Sequence, residues 1–158
     1  MVAMADTVYV VDDDTSVCTA VRRLLYAAGY QVLTFASAED FLQSDFRQRP
    51  GCLLLDIRLS GMSGYELREK LLSTGVQMPT IFITGQDRPG MEERSMRLGA
   101  SSYLRKPVDE ESLLGAIRLA IKSITNNKID EVDKSVKTLN KLKKDERFTR
   151  LFTVTEPC

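Results

Sequence analysis

At 158 residues, 43% hydrophobic and 28% charged, the chain has the make-up of one ordinary globular domain plus an appendage and is no disordered segment. Twenty-two basic residues balance twenty-two acidic ones, which excludes a polyanion-binding surface spread over the whole molecule. Cys18, Cys52 and Cys158 are odd in number and far apart, no apolar run reaches membrane-span length, and the N-terminus lacks the basic start of a signal peptide. Free thiols and a cytoplasmic location without a membrane partner are expected.

The first strand is Thr7-Val8-Tyr9-Val10-Val11, β-branched and apolar throughout, as suits a strand covered on both faces. A helix follows with Val17, Ala20, Val21, Leu24, Leu25 and Ala28 at a 3.6-residue spacing, stopped by Gly29. Tyr30 to Phe35 reads as a second strand, and Ser37-Ala38-Glu39-Asp40 opens a short helix carrying Phe41 and Leu42. Gly51 leads into a third strand, Cys52 to Asp56. Gly61 and Gly64 mark a loop before a helix from Tyr65 to Ser73, with Leu67, Leu71 and Leu72 expected inward. Pro79 to Ile83 forms a fourth strand, residues 87–98 a weakly patterned helix, and Ser101 to Leu104 a fifth strand. A strong helix runs from about Asp109 to Ile124, with Leu113, Ile117, Ala120, Ile121 and Ile124 on one side.

Five alternations of strand and helix imply an α/β fold, a parallel sheet with helices on both faces. Ligands of such open sheets sit beyond the carboxyl ends of the strands. Residues 12–14, 56–61, 84–86 and 105–107 are therefore the expected seat of any chemistry. The domain ends near residue 124. The tail, 125–158, carries eight basic against six acidic residues, which a solvated helix face accounts for. Within it Ile129, Val132, Val136 and Leu139 repeat with 3-4-3 spacing, the seam pattern of a coiled coil, over about two heptads.

The strand-end residues form a chemical set. Asp12, Asp13 and Asp14 end the first strand and Asp56 the third, and in a sheet of order 2-1-3-4-5 these strands are neighbours. An Asp before an apolar-periodic run also makes a good helix cap, and Asp56 alone is compatible with a plain turn. Two carboxylates about 4 Å apart repel by roughly 4 kcal/mol at an effective dielectric near 20, so a cluster needs a cation or raised pKa values. An all-oxygen cluster without histidine favours a hard ion, Mg²⁺ foremost. A carboxylate beside such an ion can act as a nucleophile toward phosphorus. Lys106 after the fifth strand offers a point cation and Thr84 at the end of the fourth a hydroxyl, with Gly85 leaving room beside it.

Val10-Val11-Asp12-Asp13-Asp14, Leu55-Asp56-Ile57-Arg58-Leu59, Gly61-Met62-Ser63-Gly64, Ile83-Thr84-Gly85 and Lys106-Pro107 resemble, in order, the signature of response-regulator receiver domains. The resemblance covers residues 7 to about 124, and Thr34 to Glu39 and Phe82 to Gly85 are similar to FixJ/NarL-like regulators in particular. It implies a doubly wound five-stranded sheet of order 2-1-3-4-5 with five helices. It also implies phosphorylation of Asp56 by a sensor histidine kinase, with Mg²⁺ held by Asp12, Asp13, Asp56 and the backbone carbonyl of Arg58. Thr84 and Lys106 are then phosphate contacts, Tyr103 an aromatic switch coupled to Thr84, and the surface of the fourth helix, fifth strand and fifth helix an output or dimer face. The molecule is thus expected to be a switch that works as a phosphorylation-dependent homodimer, not a turnover enzyme. Ser60 departs from the proline usual in the family, which is expected to loosen the loop after Asp56, and Arg58 and Gln86 line the approach to the phosphoryl group.

Other readings compete. A flavodoxin-like protein would want a Ser/Thr/Gly-rich loop where three aspartates stand. A haloacid-dehalogenase-type phosphatase would use Asp12 as nucleophile in Asp12-x-Asp14. A stand-alone receiver acting by protein–protein contact is the further alternative. The family resemblance implies that residues 125–147 are a linker helix, that Thr153 to Pro157 begin a DNA-binding domain, and that DNA is reached only through that domain.

Overall fold

A computed structural model describes residues 6–143. The elements run β1 (Thr7–Val11), α1 (Thr15–Ala27), β2 (Gln31–Phe35), α2 (Ala38–Leu42), a single 3₁₀ turn (Phe46–Gln48), β3 (Gly51–Asp56), α3 (Gly64–Ser73), β4 (Thr80–Thr84), α4 (Met91–Arg97), β5 (Ser102–Arg105) and α5 (Glu110–Lys143). All four strand pairings are parallel and the order is β2-β1-β3-β4-β5, as expected.

Every residue of β1, β3 and β4 is buried, the consequence of a sheet covered on both sides. The period-2 alternation of strand side chains divides the core in two. Tyr9, Val11, Leu53, Leu55 and Phe82 face a layer containing Phe41, Phe46, Tyr65, Leu67 and Leu71. Val8, Val10, Leu54, Ile81 and Ile83 face Leu25, Leu113, Ile117 and Ala120. A fully buried side chain of this size contributes roughly 1.5–3 kcal/mol, so these two layers hold the strand ends in register.

Three elements differ from expectation. Leu72 is 46% exposed, and the inward position beside Leu67 is taken by Arg68, 6% exposed. The Arg68 guanidinium donates to the carbonyls of Met78, Leu98 and Gly99 and to Thr80 Oγ1, whose own hydroxyl also donates to Met78, and so ties together the backbone acceptors before β4 and after α4. The fourth helix is shorter than residues 87–98 because Pro89 disfavours helical backbone at Arg88 and Gly90 sits at φ +88°. The fifth helix does not stop near Ile124 but runs on into the helix expected over residues 125–147, as far as Lys143 among the described residues.

Residues through Ile124 form one compact unit and those from Thr125 another. The side chain of Ile129 and the segment Thr153 to Pro157 lie outside the described residues.

Candidate functional site

The site grows from the turn that ends β1. Asp14 is the N-cap of α1, its carboxylate accepting from the backbone of Ser16 and Val17 and from the Ser16 hydroxyl. Committed to that cap, Asp14 is a poor second acid for the phosphatase reading. Asp12 Oδ1 accepts the Asp14 N–H at 2.9 Å, which turns Asp12 inward to 4% exposure. Asp13 stays exposed and its Oδ2 accepts from Ser60 Oγ at 3.3 Å.

Asp56 ends β3, 7% exposed, with Oδ1 accepting the Arg58 N–H at 3.1 Å. Lys106 bridges the two buried carboxylates, Nζ lying 2.8 Å from Asp12 Oδ2 and 3.2 Å from Asp56 Oδ2. Burial, and then the Asp12 charge, push the Asp56 carboxyl up to about 6, against the opposing pull of Lys106. Burial draws the Lys106 ammonium down, but the Asp12 hydrogen bond and the charges of Asp56 and Asp12 outweigh it and leave it raised. One carboxylate oxygen each of Asp12, Asp13 and Asp56 lies within 4.8 Å of the others. A compact, oxygen-only donor set holding an acid of raised pKa fits a hard divalent cation such as Mg²⁺.

Thr84, 1% exposed, sits one strand over, where Ile83 pairs with Asp56 and Thr84 with Arg105. Its Oγ1 accepts the Gln86 N–H at 3.1 Å, leaving its own hydrogen free to donate. A Cβ at Gly85 would meet Lys106 Cδ at 3.6 Å, an ordinary contact, so the room expected there does not require glycine.

The β3–α3 loop is pinned to its surroundings. Glu39 Oε1 accepts the Met62 N–H at 2.8 Å, Gly61 takes φ +77° directly against that carboxylate, and the Ser60 hydroxyl reaches Asp13. Gly64 is obligatory, because a Cβ there would collide with the Asp56 carbonyl oxygen. Glu39 was legible only as a helix residue, since nothing in its local sequence announces a partner 23 positions away.

Tyr103 is buried to 9%, yet its hydroxyl donates to Asp87 Oδ1 in the β4–α4 loop. Arg105 lies over its ring and pairs with Asp87 at 2.7 Å and Glu92 at 2.9 Å. The Tyr103 hydroxyl pKa is raised by burial and by the Asp87 contact, and that of Asp87 is lowered by the Tyr103 and Arg105 hydrogen bonds. The strand-end pattern stopped one residue short of Asp87, and it included Arg105 without assigning it a role.

The sequence matches the family described as the response regulator receiver domain over residues 8–118. The chain belongs to this receiver family. Among its relatives, Response regulator protein TmoT of Ectopseudomonas mendocina is 39% identical over 139 residues, 85% of this chain and 63% of TmoT. Transcriptional regulatory protein FixJ of Azorhizobium caulinodans is 34% identical over 72% of this chain and 54% of its own. The solved structure of response regulator StyR superposes with a TM-score of 0.75 at 39% identity, covering 88% of this chain and 69% of StyR. The receiver chain thus spans about half to two thirds of the length of the curated relatives it matches. Among its described residues no helix is long and apolar enough to cross a membrane.

Proposed function

We propose that this receiver is the phosphorylated input of a two-component regulator, with Asp56 as acceptor. The observation that carries the reading is the buried Asp56 carboxylate, with Lys106 on its Oδ2 and the oxygens of Asp12 and Asp13 beside it. Asp56 attacks the phosphorus of a phosphohistidine on a sensor kinase, or of a small acyl phosphate. The P–N or P–O bond breaks, its electron pair leaves with the donor, and a mixed anhydride remains on Asp56.

Lys106 is close enough to Asp56 to follow the charge onto the new phosphoryl oxygens, and the Thr84 hydroxyl donates to one of them. Asp12, Asp13, Asp56 and the Arg58 carbonyl would hold Mg²⁺, which offsets the charge of the acidic pocket and the incoming dianion. Arg58 and Gln86 flank the phosphoryl group and tune its hydrolysis. Thr84, drawn toward phosphate, biases the packing of Tyr103, and the α4–β5–α5 surface becomes the dimer and output face. The output is transcription in the cytoplasm, through a DNA-binding domain beyond this receiver, a reading supported by the relatives' descriptions as transcriptional regulators.

The deciding experiment incubates wild type and Asp56→Asn with acetyl phosphate and Mg²⁺ and measures intact mass. Wild type gains one phosphoryl group and the variant none; equal gain in both overturns the assignment.

A further inference from the structure

The receiver site makes no use of the apolar stripe on the second unit of the chain. In α5, Val132 is 63% exposed, Val136 48%, Leu139 45% and Leu142 43%, an unusual cost for a helix whose remaining positions from 130 to 141 are polar. Taking Ile129 and Val136 as heptad positions a, Val132 and Leu139 fall at d, Asp133 and Asn140 at e, and Lys128 and Ser135 at g. Val132, Ser135, Val136 and Leu139 together line a shallow surface depression. Those are d, g, a and d, the four positions that form the hole for an a-position knob of a parallel partner helix.

From this geometry we infer that residues 129–142 pair in parallel and in register with the same segment of a second copy of the chain. Three features select that occupant. Both a positions are β-branched and the second d position is leucine, as in two-stranded coils, with Val132 at the first d the one departure. In a parallel pair each g position meets the e position five residues on in the partner, so Lys128 of each helix meets Asp133 of the other, one opposite-charge contact on each side. In an antiparallel pair the seam matches only with Val132 opposite Val136; Lys128 then meets Leu142 and Asp133, paired on its own helix with Lys137, meets the like charge of the partner's Asp133, so complementarity vanishes. The stripe belongs to the second unit of the chain, and the pairing requires no phosphate on Asp56.

Two heptads give a weak pair, so the test spans high concentration. Sedimentation equilibrium of the full chain, without phosphate donor, from about 10 µM to 1 mM, gives a reversible dimer. Val136→Asp buries a charge in the seam and weakens it about a hundredfold or more, while circular dichroism and phosphorylation of Asp56 stay unchanged. Asp133→Lys weakens the dimer and Lys128→Glu combined with it restores the affinity. Wild type monomeric throughout, or a dimer indifferent to Val136→Asp, overturns the proposal.

Register is read by oxidative cross-linking in a Cys158→Ser background. Val132→Cys and Leu139→Cys each give a disulfide dimer alone, whereas Lys134→Cys, on the outer face, gives none. Cross-links that form only when the Val132→Cys and Val136→Cys proteins are mixed would show antiparallel pairing and overturn it as well.

Discussion

Lys106 and Arg105 are consecutive residues, and each is a cation held between two carboxylates. Lys106 lies between Asp12 and Asp56, whose side chains are 4% and 8% exposed; Arg105 lies between Asp87 and Glu92, 36% and 50% exposed. The formal charges are the same and the energetics are not. In the buried triad each carboxylate has given up its water, and removal of the cation strands charge in a low dielectric. In the surface triad water and salt stand ready to replace whatever is lost. Burial, and not the tally of ion pairs, decides which triad is costly to break.

The largest effect expected from testing that contrast is on Lys106. Lys106→Met, in chelator, should cost about 3 kcal/mol in urea unfolding at pH 8. The loss should shrink toward pH 5, because protonating one carboxylate relieves the repulsion. A pH-independent loss would mean that packing of the lysine stem dominates.

Asp56→Asn should stabilise the metal-free protein by about 2 kcal/mol at pH 7. The sign follows from its raised folded-state pKa. Between the ordinary value of 3.8 and about 6 the folded state binds a proton that the unfolded state has released, so stability falls as pH rises through that window. The advantage of the asparagine should therefore fade below about pH 4, and Mg²⁺ should stabilise wild type more than the variant. Thermal melts with and without Mg²⁺ at several pH values measure both.

Smaller still, Tyr103→Phe removes one hydrogen bond to Asp87 and should cost roughly 1 kcal/mol, with faster amide exchange in the β4–α4 loop. Smallest of all, Arg105→Ala should leave the unfolding midpoint within error at 0.5 M salt. A clear loss there would erase the distinction between the two triads.

How much of this was legible in the sequence depends on the range over which each residue acts. Strand ends follow from hydrophobic period and parallel topology, so Asp12, Asp56, Thr84 and Lys106 are legible in the sequence as candidates. The buried carboxylates and the lysine do converge, and the sheet order that brings them together was itself expected. Arg68 escaped because periodicity assigns buried helix positions to apolar residues, and only the carbonyls of Met78, Leu98 and Gly99 make a guanidinium tolerable there. Glu39 and Asp87 escaped because their roles are contacts made across loops. Helix beyond Ile124 was expected as a linker over residues 125–147, and what escaped was its continuity with α5: the core-facing stripe ends at Ile124, and Thr125, Asn126 and Asn127, poor helix formers, separate it from the Ile129-Val132-Val136-Leu139 seam.

The turn after β1 has a consequence for redundancy. Asp12, Asp13 and Asp14 are three copies of one letter, yet the backbone sends them in three directions: into the pocket, out toward Ser60, and back onto the first turn of α1. No copy can stand in for another, so the apparent surplus of aspartate confers no mutational tolerance. Loss of the first two should register in metal affinity and loss of the third in helix stability, and substitution of any one leaves a post that its neighbours, held in other directions, cannot fill.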